Sequence, residues 1–160
     1  MKQKEKLYHF VNDEWYYLGE MKGEAYNAFL KFAFSYSDYF GLSTFKSVRK
    51  KDLHTSYHDL LEKIAPYEVD PYKFKRLPQH YERGQKIHVY ILNDYTRKVI
   101  ADMKVEGIYS WIIPALPDDL SFFKGKKVWF NSITHAKISK VWKEDSKALE
   151  AISQIVSIYR

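Results

Sequence analysis

The chain of 160 residues contains no cysteine, which excludes a disulfide framework, a thiolate metal site and a cysteine nucleophile. Its six glycines leave little material for a phosphate-cradling loop. None falls into a Gly-x-Gly-x-x-Gly fingerprint, a Walker-type loop or a Gly-x-Ser-x-Gly elbow, and His-Glu-x-x-His is missing as well. The common nucleotide, hydrolase and zincin chemistries therefore lack their motifs. Arginine is scarce: of 26 cationic side chains only Arg49, Arg76, Arg83, Arg97 and Arg160 carry the rigid fork used for bidentate phosphate or guanine contacts. No stretch approaches the ~18 apolar residues of a membrane span. Leu7 to Val11, behind a charged N-terminus, is too short and too broken for the apolar core of a signal peptide. A cytoplasmic protein with no membrane partner is the expectation.

What is present describes a folded domain. Apolar residues make up 46% of the chain and charged residues 29%, and a chain of this length buries roughly 70% of the surface its unfolded state exposes. One globular domain over residues 1–160 is expected. The formal charge of +6 favours acidic partners. Aromatic residues reach 18%, with 14 Tyr, 10 Phe and four Trp, a supply suited both to half-buried strands and to binding surfaces.

The patterning points to α+β, with an antiparallel sheet built from about three hairpins and packed with about three main helices. Leu7 to Val11 and Glu14 to Leu18 flank Asn12-Asp13, a pair suited to a tight turn. A largely buried helix follows, with Asn27, Lys31, Ser35 and Asp38 as a narrow polar stripe and Gly41 placed to end it. A second helix runs from an Asp52 cap to Pro66, with Leu53, Tyr57, Leu60, Leu61 and Ile64 on its apolar face. Tyr67 to Gln85 reads as a connector. Lys86 to Leu92 and Lys98 to Val105 alternate with period two around Asn93-Asp94-Tyr95-Thr96 and predict a second hairpin. Gly107 to Ile113 suggests a short helix and Pro114 to Asp119 a turn. Lys127 to Ser132 with Ala136 to Trp142 predict a third hairpin. Asp145 or Ser146 caps a final helix with Ala148, Leu149, Ile152, Ile155, Val156 and Tyr159 on its stripe.

One catalytic pattern stands out on the expected second hairpin. Asp94 at the turn and Asp102-Met103-Lys104 on the next strand resemble a loose version of the Asp and Asp/Glu-x-Lys pattern of restriction-endonuclease-like nucleases. The resemblance implies Mg²⁺ held by Asp94 and Asp102, with Lys104 orienting the attacking water and Glu62 as a further carboxylate. Solvent exposure on an alternating strand explains the same charges. His54, His58 and Glu62 recur every fourth residue, a zinc-helix spacing that the wet side of any amphipathic helix also shows. Leu120 to Lys143 carries no acidic residue but interleaves Lys124, Lys126, Lys127, Lys137, Lys140 and Lys143 with Phe122, Phe123, Trp129, Phe130 and Trp142. That composition suits a stacking platform for single-stranded nucleic acid, or an inward-facing core strand edged by lysines. His135 is a candidate general base at a loop tip with no local partner.

The reading ranked first is a non-enzymatic interaction protein without cofactor, of an inhibitor or immunity type, whose partner is another protein of acidic character. Its binding face would draw on Tyr16, Tyr17, Tyr67, Tyr72 and Tyr81. The alternatives are the Mg²⁺-dependent nuclease and a nucleic-acid binder using Lys126, Lys127, Trp129, Lys137 and Lys140.

Overall fold

The structure, a computed structural model, describes residues 14–76 and 84–159. Among these the chain forms four α-helices and one seven-stranded antiparallel sheet, so the class is α+β. In chain order the elements are β1 (Trp15–Leu18), α1 (Glu24–Tyr36), β2 (Tyr39–Phe45), α2 (Thr55–Ile64), β3 (Glu68–Val69), β4 (Gln85–Ile91), α3 (Asp94–Asp102), β5 (Asp118–Lys124), β6 (Lys127–Ile133), β7 (Ile138–Trp142) and α4 (Ser146–Tyr159). The strands lie side by side in the order β1-β7-β6-β5-β2-β4-β3.

The main core forms where α1 lays one stripe on the sheet. Tyr26, Phe29, Leu30 and Ala33, spaced for a single helical face, are all buried. Phe29 meets Phe130, Phe122 and Trp129 with ring centroids 4.5, 5.7 and 6.2 Å away. Such ring pairs contribute about 0.5–1.5 kcal/mol each beyond the area they bury. Ala148 and Ile152 bring α4 into the same cluster. The opposite sheet face carries a smaller cluster of Trp15, Phe74, Ile87, Val89, Phe123 and Val128, to which none of the four helices contributes a residue. The period of two is visible in β5, where Phe122 belongs to the main core and Phe123 to the second cluster.

Several expected elements are revised. Residues 39–45 are a central strand, so α1 stops at Tyr36, where Ser37 is extended (φ −90°, ψ 154°). Gly41 therefore ends no helix. It lets β5 approach: a Cβ there would lie 2.6 Å from Ser121 Oγ and 3.1 Å from the Phe123 ring. The second hairpin is replaced by a strand followed by α3. Asn93 accepts from the Thr96 amide at 2.9 Å while the Asn93 amide donates to Thr96 Oγ1 at 2.8 Å, a reciprocal capping box. Thr96, Val99 and Ile100 then turn inward, a helical period. Asp52 is not the cap of α2; it lies in a 3-10 turn and pairs with Arg49, and His54 precedes the helix. The turn expected to run through Asp119 gives way to β5 at Asp118.

Other expectations are met. β6 and β7 form a hairpin, and Asp145 accepts from the Ala148 amide at 3.1 Å to start α4. Residues 14–18 include β1, which pairs with β7. The other half of the first expected hairpin, 7–11, lies outside the described residues.

Removing the α3 cap tests this assignment. Asn93→Ala should cost about 1 kcal/mol of unfolding free energy, read from urea denaturation at constant slope. A loss of several kcal/mol with a changed slope would indicate a strand pairing rather than a helix start.

Candidate functional site

The nuclease pattern is not assembled. Asp94 and Asp102 stand at opposite ends of the nine-residue helix α3, separated by about 12 Å of axial rise. Each is paired within its own helix, Asp94 with Arg97 at 3.1 Å and Asp102 with Lys98 at 3.0 Å. Lys104 follows the helix in a left-handed conformation (φ 49°) and is exposed. The reason is the capping box at Asn93, which converts the expected turn into a helix and moves the second carboxylate away from the first. Likewise, His58 Nε2 contacts the Lys50 carbonyl at 3.0 Å. Among the described residues no group of three or more His, Asp or Glu side chains is arranged to hold a metal ion.

The stacking platform is not assembled either. Trp129 and Phe130 are buried beneath α1, and Trp129 Nε1 donates to Ser37 Oγ at 2.8 Å. The aromatic supply that suggested a binding surface is largely consumed in this way: Trp111, Trp129, Phe29, Phe40, Phe122, Phe123 and Phe130 are all fully enclosed. Tyr16, Tyr17 and Tyr72 remain exposed, Tyr72 at 93%. Tyr67 stands elsewhere, 5.6 Å from Tyr95, beside an open groove of about 430 Å³ that also has Asp59, Glu62 and Lys63 on its walls. Tyr81 lies outside the described residues.

The lysines divide into two groups. The segment after Pro71 runs along the β5–β6 turn, where the Lys75 amide donates to the Lys126 carbonyl at 2.7 Å and Lys75 bridges Lys127 in parallel register. This places the exposed Lys73, Lys75, Lys124, Lys126 and Lys127 at one end of the sheet. Lys126 Nζ lies over the rings of Phe74 and Tyr39, at 4.5 and 4.6 Å. Lys124 has a distant carboxylate, Asp38 at 3.9 Å. Lys137 is exposed at the β6–β7 turn in a left-handed conformation, and its carbonyl accepts from Tyr109.

Lys140 differs from all of these. It is 3% exposed, its Nζ sits 4.6 Å over the Trp15 ring, and burial pushes its ammonium down to about 8. Its cross-strand neighbours in register are Tyr17 and Asn131. Asn131 is 1% exposed, and neither amide atom has a hydrogen-bond partner. Trp15 meets Trp142 edge-on at 5.0 Å, and Arg76 covers Trp142 at 4.1 Å with a buried, unpartnered Nη1.

A second polar centre lies at the start of β5. His135 Nε2 is 2.6 Å from Asp118 Oδ2, and Asp118 is fully buried while His135 is half exposed. The partner missing from the sequence reading of His135 is thus Asp118, whose other oxygen accepts from the Ile113 amide at 2.8 Å. Asp119 (φ 62°) accepts from the Thr134 amide at 2.7 Å and from Gln85 Nε2 at 3.3 Å. Burial pushes the Asp119 carboxyl up to about 6 despite these bonds. The pair Asp118 and His135 fixes the orientation of the imidazole ring at the end of β6.

Two outcomes follow from the buried charges. Asp119 titrates higher in the fold than in the unfolded chain, so its contribution is full below pH 4 and is lost as pH rises to about 6. The loss is on the order of 3 kcal/mol, and Asp119→Asn should flatten that part of a stability–pH curve. Lys140 titrates lower in the fold, so the native state gives up its proton first and stability rises between pH 8 and 10.5. Lys140→Met should therefore stabilise the protein at pH 7 by roughly 2–3 kcal/mol and abolish the rise, both measured by urea denaturation at pH 7 and 9.5.

No family model, curated protein or solved structure matches this chain.

Proposed function

We propose that this chain is a non-enzymatic binding protein whose lysine-rich end of the sheet, around the β5–β6 turn, takes an acidic protein partner. The observation that carries the reading is the bridge between Lys75 and Lys127 beside Lys126. Like charges set opposite each other on neighbouring strands are destabilising. The chain gathers Lys73, Lys75, Lys124, Lys126 and Lys127 there, and among the described residues Asp38 is the one ion-pair partner near them; a complementary acidic surface would relieve the repulsion. Tyr72, almost fully exposed on the same segment, supplies the rigid amphipathic anchor typical of interface hot spots.

A protein fits better than a nucleic acid. Single strands are held by rings that stack on bases, and the rings interleaved with these lysines in sequence are packed inward, Phe122, Phe123, Trp129 and Phe130 among them. Lysine, a strongly hydrated point charge, meets scattered carboxylates without needing a fixed fork geometry.

The test compares a fluorescent glutamate-rich peptide with an oligothymidylate of equal charge. The peptide should bind more tightly, and the double charge reversal Lys75→Glu with Lys127→Glu should weaken it at least tenfold, which corresponds to about 1.4 kcal/mol. Tyr72→Ala should weaken it further. Tighter binding of the oligonucleotide, or peptide binding that ignores the charge reversal, would overturn the reading.

A further inference from the structure

Lys140 is a buried cation whose lowered affinity for its proton has burial as its cause, and among the described residues no counter-charge offsets that burial. Beside it in register, Asn131 buries both a donor and an acceptor without a partner. Buried polar groups are almost always satisfied, so the unpartnered Asn131 amide beside the Lys140 ammonium calls for a group that completes it. The groups here differ in kind, and the difference specifies the missing one. An ammonium and an amide N–H₂ both donate, which asks for oxygen acceptors bearing negative charge; the Asn131 carbonyl accepts, which asks for one donor on the same molecule. Trp15, stacked on Lys140, and Trp142, in edge contact with Trp15, add apolar walls. The buried Nη1 of Arg76, over Trp142, adds a further free donor at the rim.

From this we infer that Lys140 and Asn131 form an internal binding site for a small carboxylate that carries a neighbouring hydroxyl or amino group, with the carboxylate on the ammonium and the hydroxyl or amino donor on Asn131 Oδ1. The site uses other side chains than the exposed lysines at the β5–β6 turn and does not rest on the acidic-protein reading. A carboxylate in contact with Nζ favours the charged amine, so binding takes up a proton wherever the empty site has lost one, and affinity falls as pH rises through about 8. The groups that also bear on this corner are Tyr17, opposite Lys140 on β1, and Glu14, Glu144 and Asp145, whose fields reach Arg76.

The experiment follows the thermal midpoint of the full chain against lactate, acetate and inorganic phosphate, each at constant ionic strength. Lactate should raise the midpoint saturably and more than acetate or phosphate does. Lys140→Met should keep a cooperative thermal transition and lose at least tenfold in apparent affinity. Asn131→Asp should place a carboxylate inside the site, raising the midpoint without ligand and removing the response to lactate. The pair Lys75→Glu and Lys127→Glu should leave the lactate response unchanged, so failure of the surface reading is distinguishable from failure of this one. No saturable shift in the parent chain, a shift that survives Lys140→Met, or a response in which phosphate exceeds lactate would overturn the inference.

Discussion

The contact of Phe29 with Phe122, Trp129 and Phe130 organises the rest of the molecule. It seats α1 on strands β5 and β6, and so decides which face of the sheet is dry. Once those rings are committed to the helix side, the alternation of side chains sends Phe123, Val128, Asn131 and Lys140 to the other face. There the cover is a short segment around Phe74 together with the edge strand that carries Trp15. The two faces thus differ in character: one is a large apolar core of ordinary composition, the other a smaller cluster into which cations and an amide are drawn. An ammonium on Trp15 and a guanidinium on Trp142 are held by ring faces, the one kind of partner an apolar cluster can offer a cation.

The elements legible in the sequence were those with an unambiguous period or a cap. The Asp145 cap and the stripe through Ala148 and Ile152 describe α4 correctly, and Tyr57, Leu60 and Ile64 do the same for α2. The hairpin of β6 and β7 shows in its alternation. The central strands β2 and β5 did not show, because Gly41, Ser43 and Thr44 in one and Asp118, Asp119 and Ser121 in the other break the apolar alternation by which a half-exposed strand is read. Phe40 was absorbed into the preceding helix, and Gly41 looked like its end. The nine residues of α3 are too short for a period to dominate; the usable signal was Asn93 followed three positions later by Thr96.

The site was legible only in part. Lys126 and Lys127 were expected to be exposed and are, but their gathering with Lys75 depends on a parallel bridge between distant segments that no local pattern records. Lys140 is spelled like its surface neighbours. Its burial follows from the register of β7 between β1 and β6, a property of three strands at once. The Asp118 partner of His135 was hidden in the same way, since the two meet only when β5 and β6 are side by side.

The pairing of β1 with β7 sets Trp15 opposite Trp142, so the first and last strands of the described chain are neighbours. Closure of that loop is costly in chain entropy and is repaid only after the strands between are in place. During synthesis the Trp15 strand therefore cannot pair with β7 until Trp142 has emerged. The corner holding Lys140 is consequently built on the pairing that joins the strands most distant in sequence within this sheet.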